Sequence, residues 1–175
     1  MKIPITKPYF GTEEKEAILE PLETGWVVQG PKVAEFEQKF STYTGTKHAL
    51  ATTSCTTALH LALIALDVKP GDEVIVPPFT WVATVNVIEM LGAKPVFVDI
   101  ELETFYIDYT KIEAAITPRT KVILPVSLFG ISAPMHPIME IARQHNLKVV
   151  EDDACATGAW YQGHHAGTLA DLGCF

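Results

Sequence analysis

Cysteine is scarce in this chain. The three that occur, Cys55, Cys155 and Cys174, are widely spaced and form no C-x-x-C pair. Neither a disulfide framework nor a zinc ribbon is implied, and such usage suits a reducing compartment. Basic residues are also few: 13 Lys and Arg stand against 21 Asp and Glu, a formal charge of −8. That balance excludes sequence-independent binding to nucleic acid, which needs a basic face to displace counterions, and an anionic membrane surface would repel the chain. No long uninterrupted apolar run is present. The most apolar stretch, residues 74–91, carries Pro77, Pro78, Thr80, Asn86 and Glu89 and is excluded as a membrane span. The first residues, Met1 to Pro8, have no apolar h-region and contain two prolines, so they do not read as a signal peptide. A soluble, cytoplasmic protein is expected. Also missing are internal repeats, a Gly/Ser linker, and any G-x-G-x-x-G or Walker A sequence, so a dinucleotide or NTP site has no support.

What is present suffices for a packed core. Of the 175 residues 48% are apolar and 19% charged, with a mean hydropathy of +0.20. Disorder is excluded, and the length suits one domain or part of a larger one. Val33, Phe36, Phe40 and Tyr43 recur at helical spacing, with Gly45 placed to close that helix. The pattern then predicts a short strand over 48–52, a helix over 56–66, a turn at Pro70-Gly71-Asp72 and a buried strand over 73–76. A helix over 81–91 ended by Gly92, a strand over 95–98, a short helix over 110–116 and a strand over 121–126 follow. A helix over 134–145, with Ile138, Ile141 and Ala142 on one face, leads to a strand over 147–150 that runs into Glu151-Asp152. Strands apolar on both faces and separated by helices indicate an α/β fold, a mainly parallel sheet with helices on both faces. Such sheets bind ligands at the carboxyl ends of their strands.

Three segments lie at predicted strand ends. Thr53-Ser54-Cys55-Thr56-Thr57 gathers small hydroxylic residues around a helix start. They can cap the orphan N–H groups there, or the same groups and the helix dipole can hold a phosphate. Pro77-Pro78-Phe79-Thr80-Trp81 brings two aromatics to the mouth of the sheet, suited either to core packing or to stacking on a planar ring. Glu151-Asp152-Asp153 sets three carboxylates in a row, either in a solvated loop or helix cap, or holding a cation. No metal site is expected: His164 and His165 adjoin, but in a polar stretch expected at the surface.

Further motifs surround these segments. Thr24-Gly25-Trp26-Val27-Val28-Gln29-Gly30-Pro31 is followed by Phe36-Glu37 and Tyr43-Thr44-Gly45. Ser54-Cys55-Thr56-Thr57-Ala58-Leu59-His60, Gly71-Asp72-Glu73-Val74-Ile75-Val76-Pro77 and Gly92-Ala93-Lys94-Pro95-Val96-Phe97-Val98-Asp99 come next. Thr117-Pro118-Arg119-Thr120-Lys121, Glu151-Asp152 and Gly167-Thr168-Leu169-Ala170-Asp171-Leu172-Gly173-Cys174-Phe175 complete the series. In this order the motifs resemble the DegT/StrS-type (DegT/DnrJ) sugar aminotransferases, fold-type I enzymes dependent on pyridoxal phosphate. The resemblance runs over essentially the whole chain.

The resemblance implies roles for particular residues. Thr56 and Thr57, with the backbone around Cys55, would bind the cofactor phosphate; Trp81 would stack on the pyridine ring. Asp152 would pair with the protonated ring nitrogen and keep it cationic, so that the ring accepts electrons when the substrate carbon loses its proton. Replacing it is expected to damage chemistry more than folding. Cys155 stands where Gln or His commonly contacts the ring, and Trp26 is implied to lie near the substrate. Cys55 stands where the family usually has Gly, Ser127 where His is frequent, and Pro21 is expected to shorten or kink the first helix. The family's Schiff-base lysine is expected beyond Phe175, since none of the eleven lysines present sits in its context. Residues 1–175 are therefore expected to be an incomplete large cofactor-binding domain without the C-terminal small domain, inactive alone and exposing apolar surface. The parent is expected to be a homodimer that moves an amino group from an amino acid, typically glutamate, to a nucleotide-linked keto-sugar. A sugar dehydratase, an aromatic amine synthase of the same family and a non-catalytic fragment are the alternatives.

Overall fold

A computed structural model describes residues 7–175; of the N-terminal stretch read above as no signal peptide, residues 1–6 lie outside it. The chain begins with α1 (Thr12–Ala17) and α2 (Leu19–Thr24), neither of which buries a residue. The break between them answers the expectation about Pro21. Proline has no N–H to return to the preceding turn, so it is tolerated only in the first turn of the second helix. Next comes α3 (Pro31–Thr44), with Pro31 at its start and Gly45 closing it at φ +77. Its predicted apolar face is not core: Phe36 and Tyr43 are exposed.

The alternating part follows as α4 (Cys55–Ala65), β1 (Glu73–Val76), α5 (Val82–Met90) and β2 (Lys94–Phe97). After a 3-10 turn at Tyr109–Lys111 come α6 (Ile112–Ala115), β3 (Thr120–Ile123), α7 (Met135–Gln144) and β4 (Lys148–Asp152). A two-stranded hairpin, β5 (Trp160–Tyr161) and β6 (His164–His165), precedes β7 (Leu172–Cys174). The main sheet is parallel in the order β2-β1-β3-β4-β7. Pro95 lies in β2, an edge strand, where a missing ladder donor is tolerated.

Residues 48–52 depart from expectation. They form no strand, because a strand needs a neighbour to take its ladder bonds and none lies beside them among the described residues. The Ala51 N–H donates instead to Glu37 Oε1 at 2.9 Å.

Strand alternation builds two cores from one sheet. Val74, Val76, Val122, Leu124 and Val150 face α4 and α5, packing with Leu59, Leu63, Val87 and Ile88. Ile75, Ile123 and Val149 face the other way, against Ile112, Met135, Ile138 and Ala142. The sheet is locked at its amino end by Glu73, 1% exposed. Its Oε1 accepts from Arg119 Nη2 at 2.8 Å and Nε at 3.2 Å, and its Oε2 from the Thr117 hydroxyl at 2.5 Å. The Thr117 hydroxyl first, and then Arg119, hold this carboxyl below the usual glutamate range. A depressed acid stabilises the fold above its unfolded pKa, and that stability is lost as pH falls through the folded value. Arg119→Ala is expected to cost about 1 kcal/mol at pH 7, the guanidinium being itself well solvated. Urea unfolding at pH 7 and below about pH 4 checks this: the cost should shrink at the lower pH, and a cost independent of pH would refute the assignment.

Candidate active site

The segments after β1 and β4 and the start of α4 meet at one carboxylate. Asp152 ends β4 and points to the α4–α5 face, the side taken by Val150 two residues earlier. It is 4% exposed. Its Oδ2 accepts from the Thr84 hydroxyl at 2.7 Å, and its Oδ1 from the Ala154 N–H at 3.2 Å and the Cys55 thiol at 3.7 Å. Thr84, in the first turn of α5, is fully buried, and its hydroxyl also lies 2.8 Å from that of Thr80.

The start of α4 supplies the second group. Ser54 caps it, accepting the Thr57 N–H at 3.2 Å. The Ser54 carbonyl takes the Ala58 N–H at 3.0 Å. The Cys55 and Thr56 N–H groups and the Thr56 hydroxyl have no partner among the described residues, as expected of the first turn of a helix. Capping and anion binding are thus both available: Ser54 does the first, and the next two residues leave donors for the second. Trp81, the residue before α5, is 78% exposed, three positions from the Thr84 that bonds the buried acid.

The predicted residues are therefore partly gathered. Cys55, Thr56, Thr57, Trp81 and Asp152 sit on the elements that meet at the carboxyl ends of β1 and β4. Cys155 is exposed three residues beyond Asp152, its carbonyl accepting the Gly130 N–H at 2.8 Å. Trp26 belongs to a separate place. Its indole N–H donates to the Gln29 carbonyl at 3.1 Å, and it lines a cleft of about 160 Å³ with Pro21, Val28, Pro31 and others of its own segment. Gly30 is needed there, since a Cβ would stand 2.0 Å from the indole nitrogen. Thr80 and Thr84 have no role in the sequence reading; Thr80 precedes the cap of α5 and Thr84 lies in its first turn, which brings their hydroxyls together.

Two corrections concern burial. The solvated-loop alternative for the acidic run does not hold, because Glu151, Asp152 and Asp153 are all buried. Glu151, on the opposite face, accepts the N–H groups of Gly167, Leu169 and Ala170 at 3.1, 3.2 and 3.1 Å. Nor is His165 at the surface: it is buried against Trp160 and Tyr43, with ring centroids 4.1 and 4.7 Å away. An open cleft of about 600 Å³ beside it, between the end of α3 and the β5–β6 hairpin, includes none of the predicted site residues.

Burial also governs protonation. It pushes the Cys55 thiol well above its usual range, with the Asp152 charge adding to the effect, and raises Cys174 to about 12. Both remain protonated thiols and neither is an activated nucleophile. Asp153 is fully buried, and neither carboxyl oxygen has a partner among the described residues. Burial first, and then the Glu151 charge, raise it to about 8; the Ser127 hydroxyl lies near enough to offset part of the effect without closing a hydrogen bond to either oxygen. An acid raised in this way stabilises the fold fully below its unfolded pKa and loses that contribution as pH rises toward about 8. Asp153→Asn is expected to melt with a flatter pH dependence than wild type between pH 5 and 8.5, most stabilised relative to wild type at the alkaline end. Parallel melting curves over that range would show that Asp153 does not titrate there.

The comparisons with known proteins bear on this arrangement. Residues 8–175 match the family described as DegT/DnrJ/EryC1/StrS aminotransferases. The GDP-perosamine synthase of Caulobacter vibrioides is 47% identical over 175 residues, covering 99% of this chain and 47% of that protein. The putative sugar aminotransferase Spr1654 of Streptococcus pneumoniae, solved in PMP and PLP forms, superposes with a TM-score of 0.94 at 37% identity, over 99% of this chain and 48% of that one. A 3-amino-5-hydroxybenzoic acid synthase superposes with a TM-score of 0.89 at 38% identity, over 96% of this chain and 44% of that one. The parallel sheet with its flanking helices is thus the fold of fold-type I aminotransferases, and the chain spans about half the length of these relatives. With its family motifs in order and their carboxylate buried beneath two helix starts, the chain belongs to the DegT/DnrJ/EryC1/StrS aminotransferase family.

Proposed function

We propose that these residues form the cofactor-cradling part of a pyridoxal-phosphate-dependent aminotransferase that moves an amino group from glutamate to a nucleotide-linked keto-sugar. The observation that carries this reading is the Asp152 carboxylate, buried and held by three donors between the start of α4 and the start of α5. Identity of 47% to a GDP-perosamine synthase supports a nucleotide-sugar acceptor.

The residues fit pyridoxal phosphate. When bound, the cofactor supplies a cationic ring that stabilises negative charge on the substrate carbon during amino transfer. The unpaired N–H groups of Cys55 and Thr56, the hydroxyls of Thr56 and Thr57 and the positive end of α4 suit a phosphate. Trp81 lies free to cover one ring face. Asp152 would accept a hydrogen bond from the protonated ring nitrogen and so keep that nitrogen charged, the carboxylate itself being buried, where a fixed charge acts strongly. Cys155 is assigned the ring edge and Trp26 the substrate side. The Schiff-base lysine is assigned to the chain beyond Phe175, so that residues 1–175 are the greater part of a large domain completed by a small one. A cytoplasmic homodimer with active sites at the subunit boundary is the proposed working form. Among the described residues no helix is long and apolar enough to cross a membrane.

In the full-length protein, added pyridoxal phosphate should produce a visible absorbance band. Glutamate and a nucleotide-linked keto-sugar should yield one aminated sugar for each 2-oxoglutarate. Because Asp152 is buried among donors, removing its side chain would disturb folding as well as chemistry, so the shape-conserving Asp152→Asn is the better variant. Its turnover should fall by at least about 100-fold with little change in the melting temperature of the apoprotein. Near-normal turnover in this variant would remove Asp152 from the chemistry, and failure of any keto-sugar to react would remove the substrate class.

A further inference from the structure

Asp152 is reached by a chain of hydroxyls whose direction is fixed by chemistry. Thr80 Oγ1 lies 2.8 Å from Thr84 Oγ1, and Thr84 Oγ1 lies 2.7 Å from Asp152 Oδ2. An ionised carboxylate only accepts, and each hydroxyl has a single proton. Thr84 must therefore donate to Asp152, which leaves Thr80 to donate to Thr84. The relay is one-way. Thr84 is fully buried on the apolar face of α5, among core residues such as Val87 and Ile88. A hydroxyl there is costly unless it is paired.

The other oxygen is held from the opposite side. Oδ1 takes the Ala154 N–H at 3.2 Å and the Cys55 thiol at 3.7 Å, the thiol coming from the first residue of α4. Three donors on three elements thus occupy a carboxylate that offers about four acceptor directions. One direction remains. The backbone keeps the relay beside the aromatic plate, since the Thr84 N–H donates to the Trp81 carbonyl at 3.1 Å.

We propose that Thr84 is a positioning residue for Asp152, oriented in turn by Thr80, while the Cys55 thiol holds the second oxygen, so that the carboxylate plane is fixed with one acceptor direction left for a protonated ring nitrogen. This rests on the cofactor reading above and adds to it the residues that aim the carboxylate. Neither threonine touches the reacting atoms; both act through Asp152. Cys55, which stands where the resemblance places Gly, contributes through its thiol a donor that Gly would lack.

The test compares Thr84→Val, Thr84→Ser, Thr80→Val and Cys55→Ala in the full-length protein. In Thr84→Val, pyridoxal phosphate affinity should fall about 10- to 100-fold, the loss expected for one hydrogen bond to a charged group. The pH midpoint of the bound cofactor's visible band should move by about one unit. Thr84→Ser, which restores the hydroxyl, should recover both, an outcome that a purely steric role would not give. Thr80→Val and Cys55→Ala should shift the midpoint in the same direction by less. A crystal structure of the ligand-free Thr84→Val variant supplies a readout independent of the cofactor: the Asp152 carboxylate should turn away from its wild-type plane. An unmoved carboxylate with wild-type affinity and midpoint overturns the relay. Should Thr84→Val fail to fold, half-buried Thr80 decides, and an unshifted midpoint in Thr80→Val overturns it equally. A wild-type protein that binds no pyridoxal phosphate overturns the cofactor reading instead, while the ligand-free structures still judge the relay.

Discussion

The constraint on which the rest of the structure depends is the burial of three successive carboxylates at the end of β4. An acid taken out of water must find donors, find a counter-charge or give up its ionisation; two of the three find donors and the third gives up its ionisation. Strand alternation separates them, sending Asp152 to the α4–α5 face and Glu151 to the face below it. Glu151 receives three backbone N–H groups and so fixes the loop that leads into β7. Asp152 receives a hydroxyl, a thiol and one N–H. Asp153 receives none and stays protonated to about pH 8. Were all three ionised, mutual repulsion would oppose the packing that holds the middle one in place.

The same constraint explains the crowding around the last strand. Gly167, at φ +80, leaves no room for a side chain: a Cβ would stand 2.3 Å from the Phe175 ring and 2.9 Å from Asp153 Oδ2. The loop therefore closes tightly over the acids, and β7 can pair with β4 in register from Val150–Leu172 to Asp152–Cys174. At the other end of the sheet Glu73 has the opposite solution, a buried acid kept ionised by Arg119 and Thr117. One end locks the strands together. The other has a largely open aromatic and an acid held toward the starts of α4 and α5.

Much of this was legible in the sequence where a pattern depends on near neighbours. The buried strand read over 73–76 matches β1 residue for residue, and Gly45, Gly92 and the paired prolines after β1 mark boundaries close to where they fall. What escaped depends on distant residues. Residues 48–52 have strand composition but no neighbour to pair with, so composition alone overstated them. His165 was placed outside because its neighbours are polar, while its burial comes from Tyr43, more than a hundred residues earlier in the chain. Phe36 and Tyr43 keep helical spacing but stay largely exposed, Tyr43 covering the His165 ring. Within the site, the positions of Trp81 and Asp152 are legible because strand ends converge in a parallel sheet, whereas the start of α4 reaches Asp152 without a strand before it. Thr84 is not legible, because its significance lies in meeting Asp152 across 68 positions of sequence.

The distribution of exposure at the site finally favours a planar, charged ligand over a packed core. Large aromatics are ordinarily more buried than carboxylates. Here the order is reversed, with Trp81 78% exposed and Asp152 4% exposed on neighbouring elements. Packing alone would gain by the opposite arrangement, since burying the indole is favourable and burying the acid is not. The inversion agrees with the proposed cofactor, a flat cation able to cover the indole and neutralise the acid together. The net charge of −8 is no obstacle to a phosphate on that ligand, because screened charges beyond about 10 Å count for little beside the unpaired N–H groups at the start of α4. An acidic protein can thus present a locally positive cradle. It does so where its sequence has small hydroxylic residues and no acidic residue in the first turn of the helix.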